Sequence, residues 1–392
     1  MKSKKILYNI TEDWFFVSHF LSRAVAAKKR GYQIYVCCNQ TKYRKLIENN
    51  DIKFIKLRYN RKSINPLAEF YILLKTIFIY KKFSPDIVHH IAFKPIIYGS
   101  IAAKLINIRS VINAPVGMGY VFTSGTLKAN ILRPLLKILL KIFLNSHHGK
   151  NKKNMVIFEN EDDLKYFLGI KAIRFKDAIV IKGAGVDIDK SIFNNKKKNL
   201  VPIVTLVSRM LKDKGINEFV ESARLLKDKK IKARFLLVGD VDPLNSSSIK
   251  SSLLKRWNDN KTIEWLGWID DVKTILKQTD ILCLPSYREG LPKALLEGAA
   301  IGLPIVTTNT VGCKDVVQNG INGILVPIKD SFSLSIALEK LIKDSALRKK
   351  MGGQSIKIAT DNFSSTIIIK QTLEVYSKMV GKFLSEKLYK YK

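Results

Sequence analysis

The chain has 392 residues, 46% of them hydrophobic, and carries 68 Lys and Arg against 33 Asp and Glu. Such a length exceeds one ordinary core and suits two domains, and so apolar a composition excludes a disordered chain. The net charge of +35 favours an anionic partner: nucleic acid, a phosphorylated substrate or an anionic membrane.

In chain order, "KKILYNI" reads as a strand, "SHFLSRAVAAKKRG" as a helix ended by Gly31, and "YQIYVCCN" as a second strand. Thr11, Glu12 and Asp13 interrupt the short apolar run after the basic start, so no signal peptide is expected. The stretch that follows is nearly free of acid: between Asp51 and Glu159 only Glu69 and Asp86 are acidic, against 18 Lys and Arg. "DIVHHI", "SVINAP", "MVIFEN" and "AIVIKG" read as further strands with helical stretches between them. Strand–helix alternation of this kind implies a parallel sheet covered on both faces.

A lysine-rich joint, "NNKKKNLVP", precedes a second series. It runs "IVTLVSR", helix "NEFVESARLLKDKK", "ARFLLVGD", helix "SSIKSSLLKRWND", "TIEWLGW", helix "DVKTILKQ", "DILCLPS", helix "PKALLEGAAIG", "PIVTTN" and "GILVP". The expectation is an α/β chain of two doubly wound, Rossmann-like domains facing a cleft, residues 1–190 and 191–366, with a last helix from about Ile367. No apolar run reaches the ~18 residues of a spanning helix, so a soluble or peripherally attached protein is expected. Cys37, Cys38, Cys283 and Cys313 show no metal-ligand spacing and read as core thiols in a reducing cytoplasm.

Two motifs carry chemistry. In "SYREGLPKALLEG" a loop leaves a buried strand, Pro292 suits the start of the next helix, and Gly290 lets the backbone turn and a ligand approach. Backbone N–H groups near Leu291 and Lys293 would then form an anion site at a helix N-terminus. Glu289 lies above that site and Glu297 leans back toward it, so each carboxylate can meet paired hydroxyls on a different part of an extended ligand. In "LVSRMLKDKG", Arg209 and Lys214 follow a strand; a planar fork and a point charge there would neutralise a diphosphate. Gly239 in "FLLVGDVD" and Gly267 in "EWLGWIDD" end two more strands as walls for a flat base. A loop Glu or a basic pair is, taken alone, usually solvated surface; the joint spacing is much harder to explain that way.

"SRMLKDKG" together with "EGLPKALLEGAAIGLPIVTTNTVGCKDVV" resembles the family 4 retaining glycosyltransferases of GT-B fold, over essentially the whole chain, and the first half is similar to bacterial members that build surface polysaccharides on lipid carriers. The resemblance implies that Arg209 and Lys214 hold the donor diphosphate, Glu289 the hydroxyls of the transferred sugar, and Glu297 the nucleotide ribose, with backbone near Gly290 and Leu291 supporting the phosphates. It implies a nucleotide-diphosphate sugar as donor (a UDP-sugar foremost), a polyprenyl-diphosphate-linked saccharide as acceptor, no cofactor and no metal. It also implies residues 367–392 packing back on the first domain, and closure of the domains over the donor.

Acceptor-side residues are expected in the first half: Asp13 and Trp14 after the first strand, His90 (with His89) at a strand end close to Lys94, and Gly117 and Gly119 in "VGMGYVFT". Each has an ordinary reading as strand-end loop or buried imidazole. Many relatives carry a His after the strand matching "SVINAP"; here Asn113, Ala114 and Pro115 stand there, so a catalytic His is not expected at that place. Segment 126–150 sets Lys128, Arg133, Lys137 and Lys141 among Leu and Ile at helical spacing. With "NRKSINPLAEFYILLKTIFIYKK" it suggests peripheral attachment to an anionic membrane, on the cytoplasmic face; a core helix with a solvated basic face is the competing reading. Two other functions remain open: a sugar-nucleotide epimerase or phosphorylase on the same fold, for which no acid–base constellation or cofactor lysine stands out, and a nucleic-acid-binding protein, for which charge alone speaks and no recognition motif is present.

Overall fold

The computed structural model describes residues 3–60, 65–118, 127–145, 152–194, 199–243, 245 and 247–381. The chain through Ala184 forms one compact unit, completed by the helix that begins at Ser365; Gly185–Ser364 forms the other. The crossing at Ala184 precedes the lysine-rich joint, which therefore belongs to the second unit instead of bounding it; residues 195–198 of that joint lie outside the described residues.

The first unit is built on seven strands: β1 (Lys5–Glu12), β2 (Gln33–Asn39), β3 (Lys53–Lys56), β4 (Ile87–Ile91), β5 (Ser110–Ala114), β6 (Lys153–Phe158) and β7 (Ala178–Val180). They pair in the order β3-β2-β1-β4-β5-β6-β7, and every neighbouring pair is parallel. All five residues of β4 and of β5 are buried, as central strands covered on both faces require. The "KFIK" of β3 has no apolar run, which is why the sequence does not announce it. The single helix expected from Ser18 is two, Asp13–His19 and Leu21–Lys29, broken at Phe20, whose φ of −125° leaves the helical region. Gly31 follows with φ +87°, the left-handed turn expected of it.

The final helix, Ser365–Val380, sinks Ile368, Val375, Tyr376 and Met379 into the core formed by Ile6, Tyr8, Phe16 and Ile87. The burial of each large side chain contributes roughly 1.5–3 kcal/mol. A polar pin adds direction: the Tyr376 hydroxyl lies 2.6 Å from that of Tyr8 and 3.0 Å from Nδ1 of His89.

The second unit has six parallel strands: β8 (Ile203–Val207), β9 (Arg234–Val238), β10 (Glu264–Trp265), β11 (Ile281–Leu284), β12 (Ile305–Thr308) and β13 (Gly323–Val326). Their order is β10-β9-β8-β11-β12-β13. Val204, Leu206, Leu282, Leu284 and Val306 fill its core. The order reverses between β8 and β11, so the connections leaving their carboxyl ends run to opposite faces and open a crevice between them. That is where "SRMLKDKG" and "SYREG" meet. All four cysteines are buried and free. Among the described residues no helix is long and apolar enough to cross a membrane.

Candidate active site

At the carboxyl end of β8 the chain turns through a short 3-10 segment, Lys212–Lys214, into the helix Ile216–Asp228. The joint is Gly215, at φ +73°, where a Cβ would stand 2.1 Å from the carbonyl oxygen of Pro285. Only glycine lets this loop lie against the end of β11. The closeness puts Lys214 Nζ 2.6 Å from Glu289 Oε1, with both side chains largely buried. Among the described residues the ammonium spends one of its three donors here. Ser286 Oγ donates to the same Glu289 oxygen at 2.6 Å. Tyr287 laces the two loops further: its N–H donates to Asp213 O at 2.9 Å and its hydroxyl to Glu218 Oε1 at 2.7 Å. Burial and the Glu218 charge hold that phenol well above its usual range.

Arg209 donates to Asp242 Oδ2 at 2.7 Å, which fixes one edge of the guanidinium and leaves its other N–H groups beside the crevice. Glu297, in the helix Lys293–Ala300, pairs with Lys293 at 3.2 Å through one oxygen. Gly239 and Gly267 are bonded to each other, the N–H of Gly239 donating to Gly267 O at 2.7 Å, while Trp265 Nε1 donates to Gly239 O at 2.9 Å. Gly239 has φ +130°, and a Cβ there would fall 1.9 Å from Ser208 O. The edge expected as a wall is thus a glycine pair with an indole hung on it.

Two details differ from expectation. Pro292 is the cap residue preceding the helix, not its first residue. Gly290 does not adopt a left-handed conformation; the turn is made possible from the other side, by Gly312 at φ +82°, whose Cβ would lie 2.7 Å from the carbonyl oxygens of Glu289 and Gly290. Leu291 is buried beneath the turn. Beneath it also lies Cys313, whose thiol is pushed up to about 12 by burial and by the charge of Glu289.

Ser286, Asp242 and Gly312 are the residues that sequence reasoning missed. Asp242 stands three residues past Gly239 in "GDVD", and an acid beside a cation-bearing strand end was a readable signal. Ser286 had none beyond its place three residues before Glu289.

In the first unit the structure corrects several acceptor-side assignments. Asp13 is fully buried, and its carboxylate accepts from Thr41 N–H and Thr41 Oγ1 at 2.6 Å each and from Trp14 N–H at 2.7 Å. It clasps the end of β1 to the loop after β2 and has no face for a substrate. His90 is also fully buried, with Nδ1 2.8 Å from Asn113 Oδ1 and its ring stacked on Tyr80. A Cβ at Gly99 would meet its ring at 2.4 Å, so this imidazole is packed into the sheet–helix interface. His89 is likewise enclosed. Lys94 is bound to Glu69 Oε1 at 2.6 Å and to Asn60 O at 2.8 Å. Trp14 is half-buried, edge-on to Phe15. Gly117 turns the chain at φ +72°; Gly119 lies outside the described residues.

The basic segment forms the helix Leu127–Leu144; the rest of 126–150 and the side chain of Lys128 lie outside the described residues. Leu140 and Leu144 are buried, yet Ile131, Leu135, Ile138 and Ile142, spaced four, three and four apart, are each more than half exposed. The helix Pro66–Phe83 shows Leu67, Phe70, Tyr71, Leu74 and Phe78 at the same kind of spacing. Arg133 and Lys137 are half-buried and Lys141 is exposed.

The family description "Glycosyl transferase 4-like" matches residues 5–146 and "Glycosyl transferases group 1" matches 187–358. The chain is 29% identical over 382 residues to the N,N'-diacetylbacillosaminyl-diphospho-undecaprenol alpha-1,3-N-acetylgalactosaminyltransferase of Campylobacter jejuni, covering 93% of this chain and 96% of that one. It is 28% identical over 298 residues to the UDP-Gal:alpha-D-GlcNAc-diphosphoundecaprenol alpha-1,3-galactosyltransferase of Escherichia coli, covering 73% and 72%. Among solved structures, a glycosyltransferase from Rickettsia africae superposes with a TM-score of 0.75 at 20% identity over 97% of this chain and 99% of that one. Anabaena HepE in complex with UDP gives 0.74 at 18% over 95% and 100%. The fold is therefore the GT-B architecture of sugar-transferring enzymes. The chain belongs to the group 1, family 4-like glycosyltransferases.

Proposed function

We propose that this enzyme moves a sugar, with retention of configuration, from a UDP-sugar to a saccharide carried on a polyprenyl diphosphate, as a step in bacterial surface-polysaccharide synthesis. The observation that carries the reading is the Lys214–Glu289 pair with Arg209, gathered where the strand order reverses. Lys214 and Arg209 would lie along the donor diphosphate and stabilise the charge that grows as the glycosidic bond breaks, so the reading needs no metal. Glu289 would take hydroxyls of the departing sugar, and Glu297 those of the ribose. The leaving phosphate would accept the proton of the attacking hydroxyl on the same face. The acceptor class is drawn from the undecaprenyl-diphosphate substrates named for the Campylobacter and Escherichia relatives.

A lipid-borne acceptor goes with attachment at the inner face of the plasma membrane. Two apolar stripes flanked by Lys75, Lys82 and Lys141 support it, since such faces lie in the interface of an anionic leaflet. The deciding experiment is a donor panel. UDP-hexoses and UDP-N-acetylhexosamines are incubated with polyprenyl-diphosphate mono- and disaccharides, alongside ADP- and GDP-sugars and a chelator arm. The expected result is one UDP-sugar transferred with an α-linkage from an α-donor, undiminished by chelator. Transfer from no UDP-sugar, or an inverted product, would overturn the reading.

A further inference from the structure

We infer that Ser286 is a positioning residue for the transfer reaction, acting through Glu289; the inference rests on the donor-site reading above. Glu289 Oε1 receives two donors at 2.6 Å, Lys214 Nζ and Ser286 Oγ. Among the described residues Oε2 receives none. The two donors come from different directions, one from the loop after β8 and one from the residue at the end of β11, so together they fix the rotation of the carboxylate. One oxygen is consumed by the protein and the other is presented with its lone pairs open.

Ser286 can impose this because it does not move. It is fully buried, and its carbonyl oxygen accepts from Thr308 Oγ1. The neighbouring carbonyls are held in the same way, Leu284 O by Thr307 Oγ1 at 2.6 Å and Tyr287 O by Thr310 Oγ1 at 2.8 Å. The N–H of Glu289 itself donates to Val311 O at 3.0 Å. Hydroxyls from β12 and the turn after it thus hold the whole loop. Among the described residues of this loop, Ser286 is the one whose side chain passes that rigidity to the Glu289 carboxylate. Without it, Lys214 could bridge both carboxylate oxygens, and the open one would be lost to the substrate.

The step affected is the one in which sugar and diphosphate separate, so Ser286→Ala should lower kcat by roughly 10–100-fold, the range expected for a lost hydrogen bond to a charged group. KM for the donor and Kd for the free nucleotide diphosphate should stay within about twofold, because ribose and diphosphate contacts are untouched. Ser286→Cys, which keeps a weak donor, should fall between. The discriminating arm is the double variant. In a Glu289→Gln background, Ser286→Ala should cost less than about twofold, because the group it positions is no longer a carboxylate. A loss that multiplies in that background, or a fall in nucleotide affinity, assigns Ser286 to general loop structure and overturns the inference. If Glu289→Gln itself turns over normally, the donor-site reading fails instead. If Glu289→Gln is impaired and Ser286→Ala is normal, the inference alone fails.

Discussion

Lys214 and Glu289 are a largely buried ion pair, to whose partners the proposed function gives separate tasks toward the donor. Glu289→Ala and Lys214→Ala are each expected to lower turnover by at least ~10²-fold, the size of a lost electrostatic contact to a departing group. Removing either partner leaves a buried charge without its counterion, so both variants should also unfold at lower denaturant, and turnover is compared where each is still folded. Glu297→Ala should chiefly weaken the nucleotide diphosphate, since ribose contacts are made equally in the bound and transition states; an unchanged titration with UDP would remove the ribose role. A second residue reports on stability. His89 is enclosed, and the titratable groups around it are Arg23, His90, Tyr8 and Tyr376; burial first, then the Arg23 charge, holds its pKa well below the ordinary value. The folded state therefore binds fewer protons than the unfolded chain once pH falls below about 6.5. The stability present above that pH is lost as pH drops, by up to about 1.4 kcal/mol per unit. Urea midpoints of wild type and His89→Gln between pH 7 and 5 test this: the wild type should lose more, and parallel lines would exclude His89 as the source.

At the scale of elements, the legible and the illegible divide by what a pattern can encode. The parallel strands of the second unit were legible because Val, Ile and Leu runs recur between helical stretches. The site loops were legible because charge and glycine follow strand ends at fixed spacings. Sequence could not show which way a strand-end side chain turns: Asp13 and His90 look poised for substrate but point inward, to Thr41 and Asn113. Nor does periodicity carry a two-lysine edge strand such as β3 or the break at Phe20. The tight turn expected of Gly290 is made possible by Gly312, whose close approach to the carbonyl oxygens of Glu289 and Gly290 no pattern announces. Gly239 gives the element-scale prediction. Its conformation alone costs another residue roughly 1–3 kcal/mol, and the Cβ would meet Ser208 O at 1.9 Å. Gly239→Ala should therefore lower the denaturant midpoint of the second unit and loosen the ends of β8 and β9 together, seen as faster hydrogen exchange at Ser208 and Leu266. A substitution without change in midpoint would mean the strand ends are not held as described.

At the scale of the molecule, the stripe Ile131, Leu135, Ile138 and Ile142 departs from the ordinary expectation for a basic helix, since it sets a row of apolar side chains in the exposed face beside Lys141. Flotation with vesicles is the check. Wild type should bind phosphatidylserine-containing vesicles and release as salt rises, each basic residue near the leaflet contributing about 1 kcal/mol. Changing the four aliphatic residues to Ser should abolish flotation while UDP binding persists, and full flotation of that variant would assign attachment elsewhere. The final helix has a further consequence, in the time domain of synthesis. The ribosome delivers β1–β7 first, but Ile368, Val375, Tyr376 and Met379 of their core are translated only after the whole of Gly185–Ser364. The unit made second holds its whole core within Gly185–Ser364, whereas the unit made first lacks part of its core until the stretch from Ser365 has been made and released. A chain cut after Ser364 and extended by an unstructured linker long enough to clear the exit tunnel before the stall should be protease-resistant in its later half and sensitive in its earlier half, the reverse of the usual vectorial order.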